Sequence, residues 1–492
     1  MKWLDFTESF EIKNRGGEGN PAVSDIIYDS RLITPGSVFI AIPGFNVRGD
    51  EFINDAVKRG AVAVVSENRQ PDCTVPWIQV PDARRMLGTF ARKLWNIDFD
   101  TMVTVGITGT NGKTTTIGFY HNLYKHIYGK KASWMFSTVI YKLGDRTEDA
   151  LRTTPEASDL LRFIGTAEEK PKALTMEVSS HALELHRVEG FLFDIAVWTN
   201  LSQDHLDFHG NMDSYYRAKK KLFQNNIKGS GIAVINIDDK WGKKLVDDLS
   251  GIKQVTYGFS EDADLRIIDS KTEWSGTEID VTFRERQMHF RSHLAGFFNV
   301  YNMAALVTGA ASTGVSEVDI QKCFDNTKSI PGRMERVAIP AEFSVIVDYA
   351  HTPDALESVL STAGKLTAER VICVFGCGGG RDKGKRPLMG DVVAHNCDEA
   401  VVTTDNPRSE KPKKIIDDIL DGMPLDFPHY VIPDRREAIK KALQIARKGD
   451  SVIVAGKGHE PYQEINGVRH HFDDREVVVE VYNEMEPVSE KK

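Results

Sequence analysis

The residues best suited to chemistry lie in Val105-Gly106-Ile107-Thr108-Gly109-Thr110-Asn111-Gly112-Lys113-Thr114-Thr115. They stand between an apolar run, Met102 to Ile107, and a helical pattern from Thr116. That order fits a phosphate-binding loop. Glycines let backbone N–H groups turn toward phosphate oxygens, and the helix behind adds the positive end of its dipole. Gly109, Thr110, Asn111, Gly112 and Thr115 would then cradle a nucleotide, Lys113 would reach its outer phosphates and Thr114 would hold a magnesium ion. Ile107 stands where the usual loop has its first glycine, so this is a Gly109-x-x-Gly112-Lys113-Thr114 variant.

Other groups suit the same chemistry. Lys172 to Val178 reads as a strand carrying Glu177 near its end. An acid at the carboxyl end of a strand in an open α/β sheet borders the ligand crevice, so Glu177 is placed to share the metal with the loop. Asn200 to His209 gathers Asp204, His205, Asp207 and His209. Two acids and two histidines so close suit hard-metal and phosphate chemistry, while their spacing does not fit zinc. Lys219, Lys220 and Lys221 sit on a helix and, from the residues alone, read as a solvated face. Asn302, in an alanine-rich helix, has two readings, a contact to a base edge or a helix cap.

The last third repeats one pattern. Strands at Ser344 to Val347, Val371 to Phe375, Glu399 to Val402 and Ser451 to Ala455 are each followed by a polar, charged cluster. The clusters are Asp348-Tyr349-Ala350-His351, Gly376 to Lys383 with Arg381, Thr403 to Arg408, and Gly456-Lys457-Gly458-His459-Glu460. Ligands bind beyond such strand ends, so four clusters on one edge predict a substrate site. A loop for ATP, a magnesium carboxylate and an arginine-bearing crevice imply transfer of the γ-phosphate to a bound acceptor. No Cys–His or Ser–His–Asp set offers a protein nucleophile. A carboxylate acceptor would become an acyl phosphate, and an amine could displace the phosphate to give an amide; positioning and charge neutralisation would carry the reaction.

The elements that must position these residues form three units. Residues 1–98 read as a small α/β domain, 99–331 as a nucleotide domain on a mostly parallel sheet, and 332–492 as a third α/β domain of the Rossmann-like kind. In the first, Val38 to Ile42 and Ala61 to Val65 are strands, and Asp82 to Trp95 is helical. Its turns Tyr28-Asp29-Ser30-Arg31 and Pro43 to Asp50 could bind an anion, but read from the residues alone they are solvated loops. Leu265 to Leu294 alternates like a hairpin sheet. The 492 residues exceed one core, and a net charge of -9 argues against a general nucleic-acid binder. Five cysteines without a Cys-x-x-Cys pair predict free thiols in a cytoplasmic chain. No membrane span or signal peptide is expected.

Taken together, Gly109 to Thr115, Glu177-Val178-Ser179-Ser180-His181, Asn200-Leu201 with Asp204-His205-Leu206-Asp207, Pro331-Gly332-Arg333-Met334-Glu335 and Asp348 to Pro353 resemble the Mur ligases of cell-wall synthesis. The resemblance runs from about Tyr28 to Gln463. It implies an ATP-dependent amide ligase of peptidoglycan precursor synthesis, cytoplasmic and monomeric, using Mg²⁺. Asp405-Asn406-Pro407-Arg408 looks like the version whose amino-acid substrate is meso-2,6-diaminopimelate, joined to a UDP-N-acetylmuramoyl-dipeptide. Tyr28, Ser30, Phe45, Asn46 and Val47 would hold the UDP part, against the solvated-loop reading. Thr153, Thr154, Ser179, Leu185 and Arg187 fall at the dipeptide positions. Asn302, Arg333, Asp348 and His351 would contact ATP. Arg381, Asp405, Asn406, Pro407, Arg408, Gly456 and Glu460 would hold diaminopimelate. Thr114, Glu177 and His205 would neighbour the metal, with Lys219 carbamylated as a further anionic ligand; Lys113, Lys219 and His205 would be catalytic. Arg152, Leu185 and Tyr28 depart from residues common in the family. The alternatives are the lysine-adding or another Mur-type amide ligase, such as the enzyme adding D-alanyl-D-alanine or a folylpolyglutamate synthase. From another class the rival is a P-loop nucleotide switch or motor, against which stand the missing Asn-Lys-x-Asp motif and the negative charge.

Overall fold

A computed structural model describes residues 1–8, 10–44, 47–69, 71–150 and 152–485. Three α/β layers follow one another along the chain. A five-stranded sheet runs Asn14–Gly16, Trp77–Gln79, Ala63–Ser66, Ser37–Ile40, Asp25–Ile27 across its width, parallel except for the first pair. The helix Ala83–Leu94 covers it, started by Asp82, whose carboxylate accepts from the Arg85 amide. The boundary between the first two units is packed: Phe99 is buried against Phe191.

The second sheet has eleven strands. Val103–Thr108 lies between Ala173–Glu177 and Phe193–Trp198, parallel to both. Buried strands read as apolar runs because both faces are covered, which is why these were legible. Beyond Phe193–Trp198 come Ile227–Asn236 and Lys253–Gly258, and then Leu265–Glu273, Gly276–Phe283 and Arg286–Ser292, an antiparallel extension of the same sheet. On the other side Ser133–Phe136 leads to the hairpin Ile140–Leu143 and Arg146–Asp149. Because Val103–Thr108 has later strands on both sides, its carboxyl end opens on a crevice between diverging connections.

The third sheet runs Glu335–Arg336, Ser344–Asp348, Ser451–Ala455, Val371–Phe375, Glu399–Val402, His429–Val431, parallel apart from its first pair. Its core strands are buried except at their first residues Ser344 and Glu399, and they bring all four polar clusters to one edge. Arg435 and Asp474, both inaccessible to solvent, form a two-pronged ion pair at 2.7 and 2.8 Å, and Arg435 also donates to the Ala455 carbonyl. That pair pins the helix Asp474–Met485 to the sheet. All five cysteines are free. Among the described residues no helix is long and apolar enough to cross a membrane.

Candidate active site

The strand Val103–Thr108 delivers the loop 109–112 to the start of the helix Lys113–Tyr128. Gly109 and Gly112 have φ of 143° and 84°. A Cβ on Gly109 would lie 1.9 Å from Thr199 Oγ1, and one on Gly112 2.4 Å from Asn302 Oδ1. Both sites therefore require glycine on steric and conformational grounds. The loop is braced from behind: Asn111 N donates to Asn200 Oδ1 at 2.9 Å, Thr110 N to the Asn200 carbonyl at 2.9 Å, and Thr199 Oγ1 to the Asn111 carbonyl at 2.6 Å. Lys113 Nζ donates to the Gly109 and Thr110 carbonyls at 3.1 and 2.7 Å. Burial lowers its pKa, against the pull of Glu177.

Glu177 is fully buried at its strand end. Its carboxylate accepts from Thr114 Oγ1 at 2.9 Å and from Thr138 through both amide and hydroxyl at 3.0 Å. Arg333 reaches across to donate to Thr114 Oγ1 at 3.0 Å and lies 4.8 Å over the Tyr349 ring. Asp348 accepts from the Met334 and Ala350 amides at 2.7 Å, and burial raises its pKa. Asn302 is neither a cap nor exposed. It is buried inside its helix, donating to Asn299 and accepting from Thr116 beside Gly112.

Lys219 corrects the solvated-face reading. Its side chain is 1% exposed, its Nζ donates to the Gly109 carbonyl at 2.7 Å, and it lies 4.7 Å over the Tyr215 ring. Lys220 and Lys221 do lie toward the surface, paired with Asp248 and Glu184. Burial, then the neighbouring Lys113 charge, push the Lys219 ammonium well below its ordinary range. His205, with φ 54°, faces Asp204 at 3.2 Å and packs edge-on to His181. Burial holds its pKa down at about 3 and that of His351 at about 4. His351 Nδ1 is 2.8 Å from the Tyr349 carbonyl.

Among the described residues no group of three or more His, Cys, Asp or Glu is gathered as a metal shell. The Thr114 hydroxyl and the Glu177 carboxylate at a helix N-terminus are oxygen donors, a set that fits a hard cation such as Mg²⁺.

These residues line one open cleft of about 1420 Å³ together with Thr153, Thr154, Ser179, Arg187, Arg381, Asp405, Asn406, Arg408, Gly456 and Glu460. The Asn406 amide donates to Glu460 Oε2 at 2.7 Å. Arg408, at φ 52°, donates to the Gly379 carbonyl at 2.8 Å and lies 3.7 Å from Glu464. A Cβ on Gly456 would meet Asp405 Oδ2 at 2.6 Å. Burial raises the pKa of Glu460, with Asp405 adding to it. Pro407 is buried behind the cleft, and Leu185 is not on its wall but follows the helix Ser180–Glu184. Tyr28, Ser30 and Val47 lie apart from the cleft: Tyr28 OH donates to Asp159, Ser30 is buried and bonded to Asp55, and Val47 is exposed. Phe45 and Asn46 fall outside the described residues.

Sequence reasoning missed several cleft residues. Thr138 anchors Glu177. Asp354 accepts from Asn111 Nδ2 at 2.7 Å and from Ser202 Oγ at 3.1 Å. Lys385 is buried 4.0 Å from Asp204. None belongs to a motif with a spacing that flags it; each is found by what lies opposite.

Fold and cleft define a class: a phosphate-loop protein whose loop opens onto a second α/β unit lined with polar and charged side chains. The chain belongs to the Mur ligase family. Residues 23–95 match the model described as "Mur ligase family, catalytic domain", 107–310 the Mur ligase middle domain and 332–458 the Mur ligase, glutamate ligase domain. It is 44% identical over 467 residues, 93% of either chain, to the UDP-N-acetylmuramoyl-L-alanyl-D-glutamate--2,6-diaminopimelate ligase of Solibacter usitatus (strain Ellin6076). A solved ligase of that description is 33% identical with TM-score 0.68, covering 98% of this chain and 99% of its own. The MurF ligase of Thermotoga maritima, solved with ADP, has TM-score 0.63 over 94% of this chain and 97% of its own; at 20% identity that likeness is one of fold.

Proposed function

We propose that the protein is an ATP-dependent amide ligase that joins meso-2,6-diaminopimelate to the D-glutamyl carboxylate of UDP-N-acetylmuramoyl-L-Ala-D-Glu. The observation that carries this reading is one cleft shared by the loop at 109–115, the Glu177 carboxylate and the cluster around Asn406, Arg408 and Glu460. In this reading residues 1–98 hold the UDP part, 99–331 the nucleotide and 332–492 the amino acid. The acceptor carboxylate attacks the γ-phosphorus of ATP, the bond to the β-phosphate oxygen breaks and ADP leaves. The free amine of diaminopimelate then attacks the acyl carbon, and inorganic phosphate leaves as the amide forms.

The chain's work is positioning and charge. Lys113 meets the transferring phosphoryl group, and the loop amides hold the phosphates. Thr114 and Glu177 would hold Mg²⁺, which supplies charge neutralisation on the phosphates. Asn302, Arg333, Asp348 and His351 frame the nucleotide. Lys219, whose charged form burial disfavours, is suited to add CO₂; the resulting carbamate replaces an amine with an oxygen ligand. Arg408 can grip the distal carboxylate of diaminopimelate with two parallel hydrogen bonds, and lysine has no such group. A site built for that partner can reject the analogue lacking it by on the order of 10⁴-fold.

The test is phosphate release with acceptor, ATP and amino acid varied in turn. All three substrates are expected to be required, and L-lysine to be a far poorer substrate than meso-diaminopimelate. Equal rates with both amino acids would overturn the specificity. Turnover driven by nucleic acid alone would overturn the ligase reading.

A further inference from the structure

Beside Thr153 and Thr154, at the edge of the cleft, lies a charge cluster gathered on Glu156, a carboxylate that the reaction above does not use. Glu156 is 5% exposed and stands at the N-cap position of the helix Ala157–Thr166, with no capping bond from its side chain. Three guanidiniums converge on it: Arg152 Nη1 at 2.6 Å, Arg187 Nε at 3.0 Å and Arg84 Nη1 at 3.5 Å. One carboxylate thus faces three cations, and two positive charges are left over. Arg152 and Arg187 line the cleft, whereas Glu156 and Arg84 do not. Arg152 is half exposed, and its backbone is fixed by Tyr141 OH, which bonds its carbonyl and receives its amide. It directly precedes Thr153 and Thr154, and Thr154 Oγ1 donates to the Glu177 carbonyl at 2.8 Å. Arg84 comes from the helix Ala83–Leu94 of the first unit, and the same seam holds Tyr28 on Asp159 and Arg162 on Asp25 and Ile26.

We propose that Glu156 is a positioning residue: it holds Arg152 and Arg187 side by side as a two-cation seat for the acceptor carboxylate that is not activated. The inference rests on the ligase reading, because a D-glutamyl acceptor carries two carboxylates and only one is phosphorylated. The other stays anionic throughout and needs fixed donors. Guanidiniums are the donors that match a carboxylate in plane, and a buried carboxylate behind them sets their orientation while leaving their outer N–H groups free. Burial lowers the pKa of Arg187, with Glu156 opposing, so the seat depends on its counter-ion. Arg84 ties this seat to the unit that holds the UDP part, so both ends of the acceptor are registered by one side chain.

The experiment compares the wild type, Glu156→Gln, Glu156→Asp and Arg152→Ala by phosphate release. Two acceptors are used, UDP-N-acetylmuramoyl-L-Ala-D-Glu and its analogue with the non-reacting carboxylate amidated. The wild type should prefer the acid in kcat/KM by roughly 10- to 100-fold. Glu156→Gln should raise the acceptor KM about tenfold, leave the KM values for ATP and diaminopimelate within about twofold, and shrink the acid-to-amide preference. Glu156→Asp should recover part of that preference, and Arg152→Ala should lose part of it. An unchanged preference in both Glu156→Gln and Arg152→Ala overturns the proposal. So does a parallel rise in all three KM values. If Glu156→Gln does not fold, Arg152→Ala, at an exposed side chain, decides alone. A wild type that releases no phosphate from the three substrates refutes the ligase reading instead, which keeps the two failures apart.

Discussion

At the scale of single residues the cleft sorts its groups by what burial does to their charge. Lys219 is the extreme case, a buried amine hydrogen-bonded to the phosphate loop. Carbamylation should appear as a ¹³C carbonyl signal after incubation with labelled bicarbonate, present in the wild type and absent in Lys219→Ala. That variant should lose activity by on the order of 10²-fold or more, as expected for an ionic ligand at a phosphoryl-transfer site; near-wild-type activity would refute the role. Arg408 makes the opposite kind of prediction. Arg408→Lys keeps the charge but not the planar fork, so the KM for diaminopimelate should rise at least tenfold while that for ATP holds. A larger change in the ATP term would mean that the amino-acid site is misplaced. Thr138, Asp354 and Lys385 were invisible in the sequence because a single Thr, Asp or Lys carries no pattern; only their partners, Glu177, Asn111 and Asp204, give them a reading.

At the scale of elements the strand-loop-helix at 103–128 was legible, because an apolar strand, two glycines and Gly-Lys-Thr leave little choice of layout. Gly109→Ala places a methyl 1.9 Å from Thr199 Oγ1. It should cut ATP affinity at least tenfold by calorimetry while leaving diaminopimelate binding nearly unchanged. The hairpin Ile140–Leu143 and Arg146–Asp149 was not singled out: its second strand, Arg-Thr-Glu-Asp, is polar and nearly all exposed, so it has no inward face to announce it. The helix Asp474–Met485 carries one fully buried ion pair beside its apolar face of Val477, Val478 and Val481. Asp474→Ala strands the Arg435 charge and should cost about 3–5 kcal/mol in urea unfolding. A loss below about 1 kcal/mol would show that the helix is held by its apolar face instead.

At the scale of the whole molecule the central and C-terminal units meet across the cleft through Asn111–Asp354, Ser202–Asp354, Arg333–Thr114 and Asp204–Lys385. These contacts cross the site itself, so the packing of the two units sets its shape. Acid should loosen the fold. His121 and His459 are buried, and burial holds each near pKa 3, against about 6.5 unfolded. Below pH 6.5 the unfolded chain takes up protons that the folded chain does not. Their contribution is therefore present above that pH and lost as pH falls toward 3, at up to about 1.4 kcal/mol per unit for each. Urea midpoints should drop between pH 7 and pH 5, and His121→Asn should show a shallower drop; a flat profile would contradict the assigned burial.

Local sequence determined the phosphate loop, most of the buried strands, the α/β class and the family motifs, because each rests on spacing within a few residues. Only the tertiary structure decided that Lys219 is buried rather than solvated, that Asn302 braces Gly112, and that Glu156 gathers arginines from positions 84, 152 and 187. A charged side chain acquires its chemistry from the dielectric and the counter-charges around it, and those come from segments that the chain brings together only on folding.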